Sequence, residues 1–274
     1  MDTNNISLLV VSCDAYSDLW EPAITLIESE WPDISFNIYW GSNFKILHHP
    51  GIKNISVGED RSWCKNLDKM LDEIPTEYVI FMLEDFFLTN KADSKSIIEI
   101  FNFTKRNNID CCRLIPNESN QGNVLAETVD YNLIEIPKNT PYRISTQMAI
   151  WKKSFLRTLL NPKFSAWEFE GINTKLVDEF SFNICAVDKP VVFYKHGVER
   201  GKWLPQGIEN MKKHSIDVDY NLRGYYKFET SAASSQKNTL RSKLPEIIMR
   251  NMGRLKRYNE YRWMKARVQE FKLS

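Results

Sequence analysis

Short apolar runs alternate with stretches of helical spacing over the first third of the chain. The apolar runs predict strands at residues 6–12, 35–40, 52–57 and 78–83. Apolar side chains recur at helical spacing in residues 18–29 and 62–74, which predicts a helix in each, the second capped by Asp60 or Ser62. Because strands alternate with helices, the pattern predicts an α/β domain with a mostly parallel central sheet flanked by helices.

The second half of the chain has a more mixed pattern. A helix is predicted near residues 94–105 and a strand near residues 110–114, followed by an extended, hairpin-like stretch between residues 127 and 143. The sequence contains no internal repeat and no low-complexity block. The second half is therefore predicted to belong to the same large domain as the first, and the chain is not predicted to be a repeat protein.

The end of the chain differs in composition from the rest. Residues 231–238 are rich in Ser, Ala, Gln and Lys, as in a linker, which predicts one domain at residues 1–230 and a helical tail at residues 231–274. Residues 240–274 hold ten Lys or Arg and three Glu, a net charge of +7, interleaved with apolar and aromatic side chains. Such a basic amphipathic helix favours contact with an anionic membrane surface, and the alternatives are packing on the domain, an oligomer contact or RNA binding.

Composition limits the partners and the compartment. The chain is 43% hydrophobic and 12% aromatic, enough for a substantial core, and its formal net charge of +1 provides no overall field that would recruit nucleic acid. The five cysteines show no C-x-x-C spacing, which indicates reduced thiols in a cytosolic protein. The first apolar run is short and lacks a basic region before it, so it is interpreted as a buried strand and not a signal peptide. No stretch approaches the length of a membrane-spanning helix.

Acidic side chains follow two of the predicted strands. Asp14 comes after the first strand, and Glu84 with Asp85 comes after the most apolar one. Ligands of open α/β sheets bind outside the carboxyl ends of strands, so these acids are predicted to face one crevice. Carboxylates there can hold Mg²⁺ or Mn²⁺ against a diphosphate, whereas the alternative is that the Glu-Asp pair only ends the strand. The sequence has neither G-x-G-x-x-G nor G-x-x-x-x-G-K-[ST], so a nucleotide site must use side chains and metal.

Four segments in order resemble the glycosyltransferases of bacterial O-antigen and capsule gene clusters, which have a GT-A-like fold. The segments are residues 62–88, 142–156, 165–171 and 198–203. The resemblance implies transfer of a sugar, from a UDP-sugar in the first instance, to a glycan or lipid-linked acceptor. It further implies a cytoplasmic enzyme of surface polysaccharide biosynthesis, peripheral at the inner face of the cytoplasmic membrane.

The resemblance also implies a metal site and a donor site. The stretch Phe81-Met-Leu-Glu-Asp-Phe-Phe-Leu88 matches the acidic Asp-x-Asp motif of the family, although two phenylalanines follow Asp85 where a further acid would stand. Glu84, Asp85 and His196 are the expected ligands of Mn²⁺ or Mg²⁺. Two further groups of residues are expected to bind the donor. Ser145 and Gln147 are assigned to the sugar hydroxyls, and Arg200 and Lys202, in a flexible basic lid, to the diphosphate.

The segment Ser165-Ala-Trp-Glu-Phe-Glu-Gly171 resembles the acidic segment that supplies the catalytic base in inverting enzymes of this fold. Glu168 is the first choice for that base and Glu170 the second. The alternative is that both acids cap a helix predicted at residues 171–182. Two functional alternatives stay open, namely a retaining transferase on the same fold and a sugar-binding protein without turnover.

Base recognition is assigned from topology alone. Asp14, at the end of the first strand, and Asp60 with Arg61, before the second helix, are the positions expected to contact the nucleotide base. Pocket shape depends on loops such as residues 117–123, so the pattern names neither the base nor the sugar.

Overall fold

The fold is known from a computed structural model, which describes residues 4–117, 122–226 and 259–273. Its strands alternate with helices along the first half of the chain and become shorter and more closely spaced afterwards. The strands are β1 (Ile6–Val11), β2 (Ile38–Ser42), β3 (Ile52–Ser56), β4 (Tyr78–Leu83), β5 (Phe86–Asn90), β6 (Cys111–Arg113), β7 (Val124–Glu127), β8 (Asn132–Glu135), β9 (Ala149–Lys152), β10 (Ile184–Val187), β11 (Phe193–His196), β12 (Val198–Glu199) and β13 (Lys202–Trp203).

Nine strands form the central sheet, in the order β3-β2-β1-β4-β9-β6-β10-β8-β7. β3, β2, β1 and β4 run parallel to one another, and β6 pairs with β10 in parallel. β9 lies antiparallel between β4 and β6, so that these two strands point the same way. The hairpin of β8 with β7 completes the far edge. The predicted mostly parallel central sheet is confirmed.

Helices cover both faces of this sheet. They are α1 (Trp20–Glu30), α2 (Trp63–Asp72), α3 (Ser94–Arg106), α4 (Lys153–Thr158), α5 (Ala166–Asp178), α6 (Pro205–Lys213) and α7 (259–273), with short 3₁₀ helices at Asp14–Leu19 and Tyr220–Leu222. α1, α3 and α6 pack on one face, and α2, α4, α5 and α7 pack on the other. No helix in these described parts is long and apolar enough to cross a bilayer.

The central strands are buried on both faces because their alternate side chains enter different cores. On β4, Tyr78, Ile80 and Met82 contact the core under α1 and α3. Val79 and Phe81 contact the core under α2 and α5. A strand enclosed this way has no polar face, which explains why the continuous apolar run of residues 78–83 predicted β4 at the observed bounds.

Sequence and structure disagree most at α5. The predicted helix at residues 171–182 begins earlier, at Ala166, and ends at Asp178. Ser165 is its N-cap and accepts from the backbone N–H of Glu168, while the Glu168 carboxylate accepts from Ser165 in return, a capping box. The Ser-x-x-Glu pattern, present in the sequence, fixes the helix start five residues before the predicted one. By contrast, Ser62 caps α2 as predicted.

A small second layer of strands covers the end of β4. β5 pairs antiparallel with β11, and β12 forms a hairpin with β13. Arg200 and Gly201, between the hairpin strands, both have positive φ, as a two-residue type I′ turn requires. Gly197, between β11 and β12, packs so closely that a Cβ atom there would lie 2.0 Å from the Phe87 ring. The segment around Arg200 and Lys202, predicted as a flexible lid, is therefore strand and turn. Close packing against Phe87 explains the glycine at position 197.

The C-terminal helix α7 packs on the α/β domain. Met264 and Val268 are fully buried in the core shared with α2 and α5. Lys265 pairs with Glu179, and Arg267 donates to the carbonyl oxygen of Leu160 at 2.6 Å. The predicted C-terminal helix is confirmed over residues 259–273, with one face on the domain. The predicted linker and the tail up to residue 258 lie outside the described residues.

Candidate functional site

Three cavities meet where the parallel strands end. The first, about 290 Å³, lies beyond the carboxyl ends of β1 and β4. The central cavity, about 510 Å³, shares Asp85 and Val198 with the first. The third, about 710 Å³, shares Gln147, Trp167 and Glu170 with the central one. The three cavities are therefore neighbours, together called the trough, with an acid between each adjacent pair.

Glu84 and Asp85 form the turn between β4 and β5 and are both largely buried. Glu84 lines only the first cavity, while Asp85 lines the first and the central ones. Burial, followed by the charge of Asp85, raises the pKa of Glu84 to about 8. Burial also raises the pKa of Asp85, opposed mainly by His196. Burial therefore disfavours two adjacent carboxylate charges at this turn, and a bound cation would stabilise them.

The predicted metal ligands do not converge. His196 Nδ1 lies 3.9 Å from Asp85 Oδ2, but His196 lines the central cavity whereas Glu84 lines the first. In the described parts of the chain, no group of three or more His, Cys, Asp or Glu side chains is arranged to hold a metal. Mg²⁺ commonly takes only one or two protein carboxylates, with phosphate oxygens and water as the remaining ligands. Asp85 with His196 fits that kind of shared site, and a site built of protein ligands alone does not fit.

Glu170 stands at the junction of the central and third cavities. Its side chain comes from α5 and is largely buried. Its Oε1 accepts three hydrogen bonds, from the backbone N–H of Thr146 at 2.6 Å, from Thr146 Oγ1 at 2.8 Å and from Ser145 Oγ at 3.1 Å. Its Oε2 has no hydrogen-bond partner among the residues described. The carboxylate is therefore fixed in place through one oxygen, with the other left to accept a proton.

Glu168, the first choice for the catalytic base, has a different surrounding. Its Oε2 accepts from the backbone N–H and the Oγ of Ser165, both at 3.0 Å. It lines none of the three cavities. Because α5 begins at Ala166, positions 168 and 170 lie about 200° apart around the helix, so only one can face the trough. The structure assigns Glu168 to the capping box and Glu170 to the trough.

Ser145 and Gln147, predicted for sugar hydroxyls, both line the third cavity. Ser145 Oγ is bound to Glu170. Gln147 Oε1 accepts from the buried hydroxyl of Tyr194, which itself accepts from the backbone N–H of Met148 at 3.2 Å. Gln147 Nε2 lies 3.5 Å from His196 Nε2. The amide of Gln147 is thus oriented by β11, a contact that sequence reasoning missed.

The three residues predicted to recognise the nucleotide base do not lie together. Asp60 lines the first cavity, where its carboxylate accepts from Asn66 Nδ2 at 2.8 Å. Arg61 is exposed and lies 3.8 Å from Glu59, outside the trough. The Asp14 carboxylate accepts from the backbone N–H groups of residues 43–45 at 3.0–3.1 Å. The structure corrects the interpretation of Asp14, which stabilises the loop after β2 and lines none of the three cavities.

The two basic residues predicted for the diphosphate also separate. Arg200 lines the central cavity from the β12–β13 turn. Lys202 lies outside the cavities, with its Nζ 5.8 Å from the centre of the Tyr226 ring. Lys202 follows the Arg200–Gly201 turn directly as the first residue of β13, and its side chain lies beside Tyr226.

Sequence reasoning missed several residues of the trough. Tyr16 and Trp63 line the first cavity, and Arg113 lines the third. Arg223 donates to both carboxylate oxygens of Asp18 and lies 4.3 Å from the Tyr16 ring centre. The sequence contained a signal for Arg113, because it is a lone basic residue inside an apolar strand. It contained no signal for Arg223, because its partner Asp18 lies about 200 positions earlier.

Comparisons with known proteins give low similarities. Neither the scan against protein-family models nor the search of curated proteins finds a match. Among solved structures, S. aureus TarS 1–349 in complex with UDP-GlcNAc is 13% identical, with a TM-score of 0.47, covering 80% of this chain and 69% of that chain. The mannosyltransferase PcManGT from Pyrobaculum calidifontis, with GDP-Man and Mn²⁺, is 11% identical, with a TM-score of 0.46 and coverages of 72% and 58%. The galactosyltransferase LgtC, with donor and acceptor sugar analogues, is 11% identical, with a TM-score of 0.36 and coverages of 79% and 82%.

Proposed function

We propose that this chain is a glycosyltransferase that moves a sugar from a nucleotide-sugar donor to an acceptor hydroxyl. The observation that carries the proposal is the order of groups along the trough. Asp85 stands between the first and central cavities, and Glu170 stands between the central and third. A transfer of this type needs a site for the leaving diphosphate, a site for the sugar and a base beside the acceptor, in that order.

The donor is assigned to the first and central cavities. Tyr16 and Trp63 offer aromatic surface to a nucleoside, and Asp60 offers a hydrogen-bond acceptor. The diphosphate then lies beside Asp85, with Arg200 facing it from the β12–β13 turn. A divalent cation bound by Asp85, His196 and the diphosphate would neutralise the charge that develops on the leaving group. Mn²⁺ or Mg²⁺ and a UDP-sugar are the proposed ligands.

Glu170 is proposed as the general base. The acceptor hydroxyl oxygen attacks the anomeric carbon of the donor sugar and its proton passes to the carboxylate. The bond from that carbon to the diphosphate breaks, and its electron pair leaves with the nucleotide. Attack from the face opposite the leaving group inverts the anomeric configuration. The hydrogen bonds from Ser145 and Thr146 hold the carboxylate in position during this step.

The biological role is proposed from the four sequence segments that resemble O-antigen and capsule enzymes. Transfer of a hexose or related sugar to a lipid-linked or oligosaccharide acceptor, at the cytoplasmic face of a bacterial membrane, would serve surface polysaccharide assembly. This part of the proposal rests on residues 62–88, 142–156, 165–171 and 198–203.

The first experiment is a thermal shift of the purified chain with UDP, GDP, CMP and dTDP, each with Mn²⁺ and with EDTA. A ligand that binds only the folded protein raises the melting temperature, so one nucleotide should do so and EDTA should weaken the effect. Asp85→Ala should lose the shift. Asp14→Ala is the matched control, because Asp14 lies outside the cavities and its loss should lower stability without changing the nucleotide shift.

Absence of a shift with every nucleotide would contradict the proposal. Where a donor is identified, NMR of the product reports its anomeric configuration. Inversion supports Glu170 as base, whereas retention would assign the chain to the retaining alternative. A nucleotide shift without transfer or donor hydrolysis would instead favour a binding protein.

A further inference from the structure

The third cavity has a charged group at its base that the proposed transfer does not use. Arg113, at the end of β6, lines this cavity and is only 5% exposed. The cavity is the largest of the three and lies on the far side of Glu170 from the acidic pair. Its position is that of the acceptor, so what Arg113 recognises bears on the acceptor's chemistry.

The guanidinium of Arg113 is held by neutral groups. Its Nη1 donates to Asn117 Oδ1 at 3.1 Å, and its Nη2 donates to the carbonyl oxygens of Tyr142 and of Arg143, the latter at 3.1 Å. Within the described ranges, no carboxylate forms an ion pair with it. Burial lowers the pKa of Arg113, which reflects the cost of removing the charge from water. Glu170 is a nearby charge that favours the cation without pairing with it, and an anionic ligand in direct contact with the guanidinium would offset more of the burial cost.

Glu170 lines the same cavity but does not pair with Arg113. Its Oε1 is bound by Ser145 and Thr146, which draw the carboxylate toward β9. The cavity therefore has a positive end at Arg113 and a negative end at Glu170. A ligand that carries an anion would bind with its charged group at Arg113, which leaves a hydroxyl at the other end for Glu170.

Two exposed aromatic rings stand at the rim of this cavity. Trp167, on α5, is 68% exposed and Tyr142 is 61% exposed. Tyr142 has a φ of 52°, a conformation that is uncommon for a residue other than glycine, and the bond from Arg113 to its carbonyl helps to hold it. Large aromatic side chains left in water beside a polar cavity indicate a binding surface, and flat rings of this kind pack well on sugar rings.

We propose that the third cavity binds an acidic saccharide, with Arg113 holding its anionic group, Trp167 and Tyr142 contacting its ring, and Glu170 facing its reacting hydroxyl. That this saccharide is the acceptor rests on the proposed function, but the predicted binding can be measured without turnover. The guanidinium suits either a sugar carboxylate or a sugar phosphate, because both are anions that can accept from the N–H groups not used by Asn117, Tyr142 and Arg143.

The test compares three probes that differ only at carbon 6, namely methyl glucoside, methyl glucuronoside and methyl glucoside 6-phosphate. Binding to the full chain is measured by titration calorimetry and by saturation-transfer NMR. At least one anionic probe should bind at least tenfold more tightly than the glucoside. The stronger of the two identifies the source of the anion as a sugar acid or a sugar phosphate. Equal binding of all three, or no binding of either anionic probe, would overturn the proposal.

Two variants separate recognition from folding. Arg113→Gln should abolish the preference for the anionic probe, and a preserved preference would contradict the role of Arg113. Because Arg113 also holds the loop at residues 142–143, that variant can fail to fold, and Trp167→Ala provides the second measurement. Trp167→Ala should weaken binding of the anionic probe at least tenfold. Trp263 is an exposed tryptophan on α7, and Trp263→Ala should leave that affinity unchanged. Loss of binding in both tryptophan variants, or in neither, would overturn the assignment of the rim.

Failure of this proposal differs from failure of the proposed function. Nucleotide binding without any anionic preference in the third cavity would remove the acidic acceptor and leave a glycosyltransferase with a neutral acceptor. Anionic binding without any nucleotide shift would leave an acidic-saccharide site in a protein that is not a transferase.

Discussion

Glu168 and Glu170 are two residues apart on α5 and have opposite surroundings. Glu168 belongs to the capping box with Ser165, whereas Glu170 is buried in the trough with one oxygen that has no partner in the described parts of the chain. We predict that Glu170→Gln lowers the transfer rate about 10²-fold or more, the usual contribution of a general base, while the Kd for the nucleotide stays the same. Initial rates and nucleotide titrations of the purified variant check this prediction.

Glu168→Gln is the matched control. Glutamine also serves at the third position of a capping box, so α5 keeps its start and transfer should proceed at close to the original rate. If Glu168→Gln loses activity and Glu170→Gln retains it, the assignment of the two carboxylates is reversed.

The choice between these two acids could not be made from the sequence with the helix placed at residues 171–182. An extended segment would put both acids on one side, and a helix starting at Ala166 separates them. Asp14 was misread for another reason, because its backbone partners at residues 43–45 are distant in sequence. The position of Asp85 at the sheet edge was predictable, because an acid that directly follows a buried strand lies at the end of that strand.

At the scale of elements, the connection from β11 to β12 depends on Gly197. A Cβ atom there would lie 2.0 Å from the Phe87 ring, and Phe87 is fully buried on β5. We predict that Gly197→Ala displaces β12, lowers the free energy of unfolding by about 1–3 kcal/mol, as overpacking does, and weakens nucleotide binding through Val198 and Arg200. Chemical denaturation and the nucleotide thermal shift measure the two effects.

Gly171→Ala provides the comparison for this change. Gly171 lies within α5, and a Cβ atom there would have no neighbour within 4 Å. Alanine should therefore raise the stability of the helix by roughly 0.5–1 kcal/mol, because glycine loses more backbone entropy on folding. Equal destabilisation by both substitutions would show that the close contact at Phe87 is not what fixes the β11–β12 connection.

The sequence predicts which segments are strands better than it predicts which strands pair with one another. Runs of apolar residues marked β1 and β4 because these strands are buried on both faces. The insertion of β9 antiparallel between β4 and β6 was not predictable, since its two pairings join segments about 70 and about 40 residues apart along the chain. The same limit applies to the trough, because Asp85 and Glu170 are distant in sequence and yet line the same central cavity.

At the scale of the whole molecule, the packing of α7 on the α/β domain limits which face of this basic helix can contact a partner. Its Met264 and Val268 are buried against the α/β domain, and Tyr261 and Lys265 both bind Glu179. An amphipathic helix binds lipid with its apolar face, and in α7 that face is already covered by protein. Membrane contact through this helix would therefore have to use its outer face, where Trp263 is exposed.

The docking of α7 is testable without a membrane. Met264→Ala removes a fully buried side chain from the core shared with α2 and α5, and such deletions cost about 2–5 kcal/mol. We predict that loss in the free energy of unfolding, measured by urea denaturation. Leu273→Ala, at an 83% exposed position of the same helix, should change it by less than about 0.5 kcal/mol. If both variants are as stable as the original chain, α7 does not pack on the domain in solution, and its apolar face is available to lipid.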